Sequence, residues 1–352
     1  MMTTTNRIGV LLLLTIFCFA CSEDDSNNEP DNSFYTIVNN GSGAVNGAND
    51  SNDSQSLRVA QAVPSVQNAT YPKSIPIMLF FDDKLNINTI RNNFKVTENG
   101  EDIGGIITIN EAANGYAILT FIPNNGFSPN SSIELTLRNG FNDDGGNSFD
   151  SGLDYILTFL TDSEPVGSFD NNGSFENGTD GVVFLGDGSI LQGANGCVSP
   201  TDGNSFAAIT SGSQLVSSGT AIGDASSMML LGPISDGISS VNFDYNFLSS
   251  EFQEFVDSIF DDSAVITVVG DSGAYSEFLT SVNTVGTPGN TQCDGFAGMP
   301  DDGDDYSGET GWMNKTLNFS NVGGSAFIII TVTDVSDQIY SSAITIDNVS
   351  FN

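Results

Sequence analysis

Histidine is absent from the 352 residues, and lysine and arginine together number eight. The first absence removes Ser-His-Asp and Cys-His catalysis and every histidine-ligated zinc or iron site. The second leaves no surface able to neutralise a phosphate backbone, which argues against nucleic acid as a partner. Against those eight stand 44 aspartates and glutamates, for a net charge of −36. An anionic membrane surface repels such a chain. Tryptophan occurs once and cysteine four times. What is abundant is Gly, Asn, Ser, Thr and Phe, a composition of short strands joined by turns, so the expected fold class is all-β. Carboxylates alone can hydrolyse glycosides, so these absences disfavour an enzyme without removing that one class.

The N-terminus reads as an address. "NRIGVLLLLTIFCFAC" sets Arg7 before an apolar run over residues 8–20 and ends on Cys21. The run is shorter than the roughly 20 residues needed to span a bilayer, which makes it a signal peptide. Ending on Ala20 and Cys21, it resembles a bacterial lipoprotein signal, and the resemblance implies removal of residues 1–20 and lipidation of Cys21. "SEDDS" directly afterwards resembles the acidic surface-export tag of some Gram-negative lipoproteins. That likeness implies an outer-membrane lipoprotein exposed on the cell surface and joined to the membrane through its N-terminal lipid. A solvated acidic linker on the periplasmic side is the alternative. Residues 21–57 are rich in Asn, Ser, Asp and Gly, too poor in apolar surface to offset chain entropy, and read as a flexible acidic tether. Within it, "FYTIV" at 34–38 has strand composition.

Residues 58–162 alternate short apolar runs with turn signals. "SIPIMLFF" (74–81), "GGIITI" (104–109), "YAILTFIP" (116–123), "SSIELTLR" (131–138) and "LDYILTFLT" (153–161) are strand-like, and "ENGED" (98–102) carries an Asn-Gly hairpin turn. Regular short strands over this length predict a sandwich. The segment resembles a bacterial Ig-like domain of the S-layer type, carried by "IPIMLFFDDKLN", "LTFIPNNGFSPNSSIELTLRNGFNDDGGNSF" and "YILTFLT". The family's module is usually a spacer or stalk. Asp143, Asp144 and Asn147 in "NDDGGN" fit either a cation or a turn, with the turn favoured.

Residues 163–352 open with "DNNGSFENGTDG" and close with "SAITIDNVSF", with further strand-like runs between. Their number predicts a larger jelly-roll-like β-sandwich. The two ends resemble the jelly rolls of carbohydrate-binding modules, where an opening Phe-Glu and a late Asp-Asn lie side by side and commonly hold structural Ca²⁺. Carried over, that nominates Glu176 and Asp347; an edge turn is the alternative.

In "FDYNFLSSEFQEFVDSIFDD" (243–262), alternation gives way to helical spacing. Phe252, Phe255, Val256, Ile259 and Phe260 form one stripe, with Glu251, Glu254, Asp257 and Asp261 opposite. Ser250 and Gln253 fit a capping box, so a short amphipathic helix is expected. Asp261 and Asp262 fall at its C-terminal end, where negative charge opposes the dipole and a cation would reverse the sign. The stretch also resembles the choice-of-anchor L domain, through Ser249 to Phe252, "EFV" at 254–256 and the Asp261-Asp262 pair. That family occurs on surface and secreted bacterial proteins.

"PDDGDDYSGETGW" (300–312) crowds Asp301, Asp302, Asp304 and Asp305 into one loop, and Lys315 is the one basic residue after position 163. A divalent cation or plain solvent exposure explains them. Trp312, Tyr306 and Tyr275 fit either sugar stacking or the core. Cys197 and Cys293, the cysteines beyond the signal, fit a disulfide in an oxidising exterior, with two free thiols as the alternative. The leading expectation is a non-catalytic surface binding protein, calcium-stabilised and recognising glycan or another cell-surface ligand. An envelope structural or adhesion protein engaging protein partners follows, then a carboxylate-only glycoside hydrolase.

Overall fold

Short β-branched and aromatic runs separated by Gly, Asn and Pro pair into four sheets. The computed structural model describes residues 34–39, 56–64, 68–111, 117–149, 152–163, 167–212, 226–235, 237–258, 260–291, 293, 296, 308–320, 322–334 and 340–352. The signal segment and Cys21 lie outside them. No helix among the described residues is long and apolar enough to cross a membrane.

The first sandwich contains β1 (Tyr35–Asn39), β2 (Val59–Val63), β3 (Thr70–Pro72), β4 (Ile77–Phe81), β5 (Phe94–Glu98), β6 (Glu101–Asp102), β7 (Gly105–Glu111), β8 (Ala117–Pro123), β9 (Ser132–Leu137) and β10 (Tyr155–Asp162), with a helix, α1 (Ile87–Asn93). One sheet runs β1-β7-β8-β4-β2 and the other β3-β10-β9-β5-β6. The Asn-Gly turn forms as expected: Asn99 and Gly100 take φ of 52° and 87°, joining β5 to β6.

β1 lies inside the segment expected to be a flexible tether. It pairs in parallel with β7, Tyr35 opposite Gly105. The Tyr35 ring packs edge-on against Phe94 and Phe121 at 5.4 and 6.0 Å. Its hydroxyl accepts from the Val96 N–H at 3.2 Å, and Arg91 donates to its carbonyl at 2.9 Å. A half-buried aromatic with its hydroxyl and carbonyl both paired holds this stretch on the sheet, so tether composition does not extend through it.

The second sandwich contains β11 (Val182–Leu185), β12 (Asp187–Gln192), β13 (Ser205–Thr210), β14 (Ser226–Ile234), β15 (Ser240–Ser249), β16 (Ser263–Gly270), β17 (Gly273–Ser281), β18 (Gly308–Glu309), β19 (Met313–Asn318), β20 (Ala326–Thr333) and β21 (Ser342–Phe351). Its sheets run β11-β14-β20-β16-β17 and β12-β13-β21-β15-β18, with β19 also on β15. The opening and closing segments lie side by side, as the resemblance implied: Val349 N–H donates to the Gly173 carbonyl at 2.9 Å.

The two sandwiches meet face to face. Along β16, Ile266 and Val268 join the core of the second sandwich, whereas Val265 and Val269 join the core of the first. Neighbouring β20 does the same, with Ile328 and Ile330 on one side and Ile329 on the other. Across the boundary, Asn110 donates to the Ser276 carbonyl at 3.2 Å. Double-sided burial explains the continuous apolar runs: every residue of β4 and β8 is buried, and a strand covered on both faces has no polar side to show.

Both sandwiches confirm the all-β expectation; the amphipathic helix does not form. Residues 250–258 make turns, with Asp257 at φ 63°. The Ser249 hydroxyl accepts the Glu251 N–H at 3.0 Å, a local bond that competes with helical capping. The aromatic stripe packs in several directions: Phe252 on Phe247, and Phe255 between Phe260 and Tyr340. Glu254 and Asp257 are exposed as expected, but Glu251 is buried. The capping box sits elsewhere, at Ser281 and Thr284, starting the short helix α2 (Val282–Val285).

The shared core predicts coupled unfolding. Ile329→Ala, which cuts a fully buried contact toward the first sandwich, should cost about 2–5 kcal/mol. Calorimetry should show one transition shifting as a whole; two transitions, with one unmoved, would mean the sandwiches melt independently.

Candidate functional site

Between β12 and β13 the chain runs through "SPTDGN" (199–204), a string of turn formers. Thr201, Asp202, Gly203 and Asn204 are exposed, yet the loop is fastened at four points. The sulfurs of Cys197 and Cys293 are bonded, with their Cα atoms 5.1 Å apart and 96 residues between them in sequence. Trp312 Nε1 donates to the Ser199 carbonyl at 2.7 Å. Asp347 Oδ2 accepts from the Thr201 and Asp202 N–H groups at 2.7 and 2.9 Å and from the Thr201 hydroxyl at 3.2 Å. Glu176 Oε1 accepts from Asn204 N–H at 2.6 Å. Gly203 takes φ +69°, a left-handed backbone that favours glycine, and a Cβ there would push on the Glu176 carboxylate 2.6 Å away.

Glu176, Asp347 and Trp312, named from distant parts of the sequence, therefore converge on one loop. Trp312 takes the core alternative, and Glu176 and Asp347 each hold backbone groups of the loop. Trp312 is half-buried, edge-on to Phe206 at 6.0 Å, and joins a small core with Val198, Leu248 and the disulfide. Its ring serves packing and its N–H the loop, the usual division for a buried indole. Both oxygens of Asp347 are engaged: besides the three donors on Oδ2, Oδ1 accepts from Asn348 N–H at 2.8 Å.

Beside the loop lies an open polar face on β15, β19 and β21. Asn314 donates to Asp244 Oδ1 at 2.7 Å and to Asn242 Oδ1 at 3.2 Å. Asn242 donates to Asn314 Oδ1 and Thr316 Oγ1 at 3.0 and 2.8 Å, and Asn348 to Asp244 Oδ2 at 3.1 Å. Asp244 stands opposite Asp347 in the strand register, and their environments differ. Burial would raise Asp244, but donation from Asn314, Asn348 and Thr201 outweighs it and its carboxyl sits below the usual value. Burial raises Asp347, only partly offset by its N–H donors. Asp347 is fully buried with both oxygens engaged, so the two do not make an accessible acid–base pair.

The remaining expectations scatter. Tyr275 is half-buried on the edge strand β17, its hydroxyl 3.4 Å from Glu277, which pairs with Lys315. Asp261 and Asp262 lie at the far end of the crossing from β15 to β16. Asp261 is raised by burial, though it accepts the Asn283 N–H at 2.8 Å, and Asp262 is fully buried. Asp143 closes a turn, accepting the Asn147 backbone and side-chain N–H at 2.7 and 2.9 Å. Asp301, Asp302, Asp304, Asp305 and Tyr306 lie outside the described residues. Glu309 approaches Cys197 and Cys293, but bonded sulfurs offer no thiolate to a metal. The loop and the asparagine face were missed; Pro200 and the Asp202-Gly203 turn were the available signal for the first.

No family model matches the chain, and no curated protein matches it. Among solved structures, a family 61 carbohydrate-binding module in complex with β-1,4-galactotriose aligns over 53% of this chain and 97% of its own, at 12% identity and a TM-score of 0.32. A family 28 module specific for non-crystalline cellulose covers 53% and 96%, at 12% identity and 0.30. The K1 cleaved adhesin domain of Lys-gingipain from Porphyromonas gingivalis covers 51% and 95%, at 11% identity and 0.28. Carbohydrate-binding modules and an adhesin domain are thus its structural neighbours, at scores too low to carry an argument about ligand.

Asp347 supplies a test with a definite sign. Its value in the fold lies above the ordinary 3.8, so the folded chain takes up a proton before the unfolded one. The ionised form costs stability at neutral pH, and that cost is relieved as pH falls through the raised value toward 3.8. Thermal unfolding should show the wild type gaining on Asp347→Asn over that descent. The opposite trend would mean that the N–H donors outweigh burial.

Proposed function

We propose that the chain is a non-catalytic binding protein of the cell surface, anchored through a lipid on Cys21, whose second sandwich recognises glycan. The observation that carries this reading is an exposed loop, Thr201–Asn204, held at four points beside the face of Asn242, Asp244, Asn314 and Asn348. Exposed side chains already fixed by their neighbours lose little freedom on binding. Amide and carboxylate groups at fixed spacing exchange hydrogen bonds with sugar hydroxyls, and no titrating histidine is needed. Adhesion to a protein partner is the second reading, favoured by Leu153, Ile156 and Leu160, exposed on the first sandwich.

Calcium remains part of the proposal as a structural ion at the Asp261–Asp262 end, where carboxylate oxygens suit Ca²⁺. Asp262 and Glu251 are buried at the two ends of one crossing.

The full chain should be titrated with a panel of neutral polysaccharides, once in Ca²⁺ and once in EDTA. Asn314→Ala should weaken binding about tenfold, the worth of one well-placed hydrogen bond. Unchanged affinity would remove the asparagine face from the reading; no binding at all would put protein adhesion first. Separately, Ca²⁺ should raise the melting temperature of wild type but not of Asp262→Asn. An equal rise in both would place the ion elsewhere.

A further inference from the structure

Where the two sandwiches diverge, they leave a cleft of about 450 Å³ with walls from both. Lys73, Ser74, Asn125 and Phe127 come from the first sandwich; Asp271 and Phe327 come from the second. We infer that this cleft is a separate binding site for a neutral saccharide of one or two rings.

Size is the first argument, because clefts for small ligands run from about 300 to 1,000 Å³. Composition is the second. A pyranose presents a C–H face and a rim of hydroxyls, which act as donors and acceptors together. The cleft is lined by phenylalanine carbon, the amides of Asn124 and Asn125, the hydroxyls of Ser74 and Ser325, one lysine and one aspartate. The hydroxyl of Ser74 is buried and has no hydrogen-bond partner among the described residues. A buried polar atom left so carries a desolvation cost that a ligand hydroxyl removes. Charge is the third: the cleft's charged lining residues are one of each sign, Lys73 and Asp271, whereas the chain as a whole carries −36 and repels anionic sugars.

The backbone keeps the second wall in place. Asp271 N–H donates to the Gly323 carbonyl at 2.9 Å. Gly324, at φ +67°, has no room for a side chain because the Asp271 carboxylate fills that space. Phe127 is 3% exposed and packs edge-on to Phe159 at 5.8 Å, a rigid floor. The site exists only because the sandwiches pack face to face, and it shares no residue with the asparagine face.

The test is calorimetric titration of the full chain with glucose, galactose, mannose, xylose and their β-1,4-linked dimers at millimolar concentrations, with glucuronic acid for contrast. At least one neutral sugar should bind. Asn125→Ala and Asp271→Asn, on exposed turns of opposite sandwiches, should each weaken it about tenfold or more, in an Asn314→Ala background as in the wild type, and glucuronic acid should bind more weakly. Circular dichroism confirms that each variant folds. The reverse pattern, loss in Asn314→Ala with both cleft variants intact, would overturn the cleft while leaving the asparagine face standing. Binding of no neutral sugar, or tighter binding of glucuronic acid, would overturn the cleft site as well.

Discussion

Burial of the two central sheets on both faces is the constraint on which the structure depends. A strand such as β16 or β20 sends successive side chains into different cores, so neither sandwich can shift without opening the other. Large apolar residues on both faces supply most of the driving force. Polar groups trapped at the junction include Asn110, which donates to the Ser276 carbonyl, and Thr267, which shares a hydrogen bond with the Ser276 hydroxyl. The first sandwich is therefore not set apart from the second as a free spacer; it covers a sheet face that would otherwise expose Met228, Leu230, Val265 and Ile329.

The outer sheet of the second sandwich is treated differently. Part of it lies under a small core of Val198, Phe206, Leu248 and Trp312 closed by the disulfide. The rest is left to asparagine and aspartate. With so few cations, most carboxylates in the site are balanced by backbone N–H groups and amides, as at Asp347 and Asp244. Such bonds fix geometry without cancelling charge. The result is a polar face whose carboxylates are held by amide and backbone donors, while the junction leaves a second concave surface lined by Lys73 and Asp271.

Much of the fold was legible. Strand runs, the Asn-Gly turn and the adjacency of the chain ends all follow from local composition or from matching motifs. The continuous apolar runs "IMLFF" and "FIIITV" also carried the sign of double-sided burial, since alternation fails only where no face is wet. The helix at 250–262 was misread because its 3.6-residue spacing was real but its aromatic side chains had partners in several directions. In the site, Glu176, Asp347 and Trp312 could be singled out from motifs and residue type, but their partners could not. Their partners are backbone groups of a loop more than a hundred residues away from Trp312 and Asp347, and no spacing rule encodes such a meeting.

The sequence by itself determined the all-β class, the lack of histidine chemistry and the scarcity of cations, because these follow from residue types and short-range periodicity. Tertiary structure alone decided that the sandwiches stack, that the loop at 199–204 is clamped, and that an asparagine face and an inter-sandwich cleft exist. Each depends on long-range register and on which faces are left uncovered. Those are properties of packing between segments, and a linear pattern does not contain them.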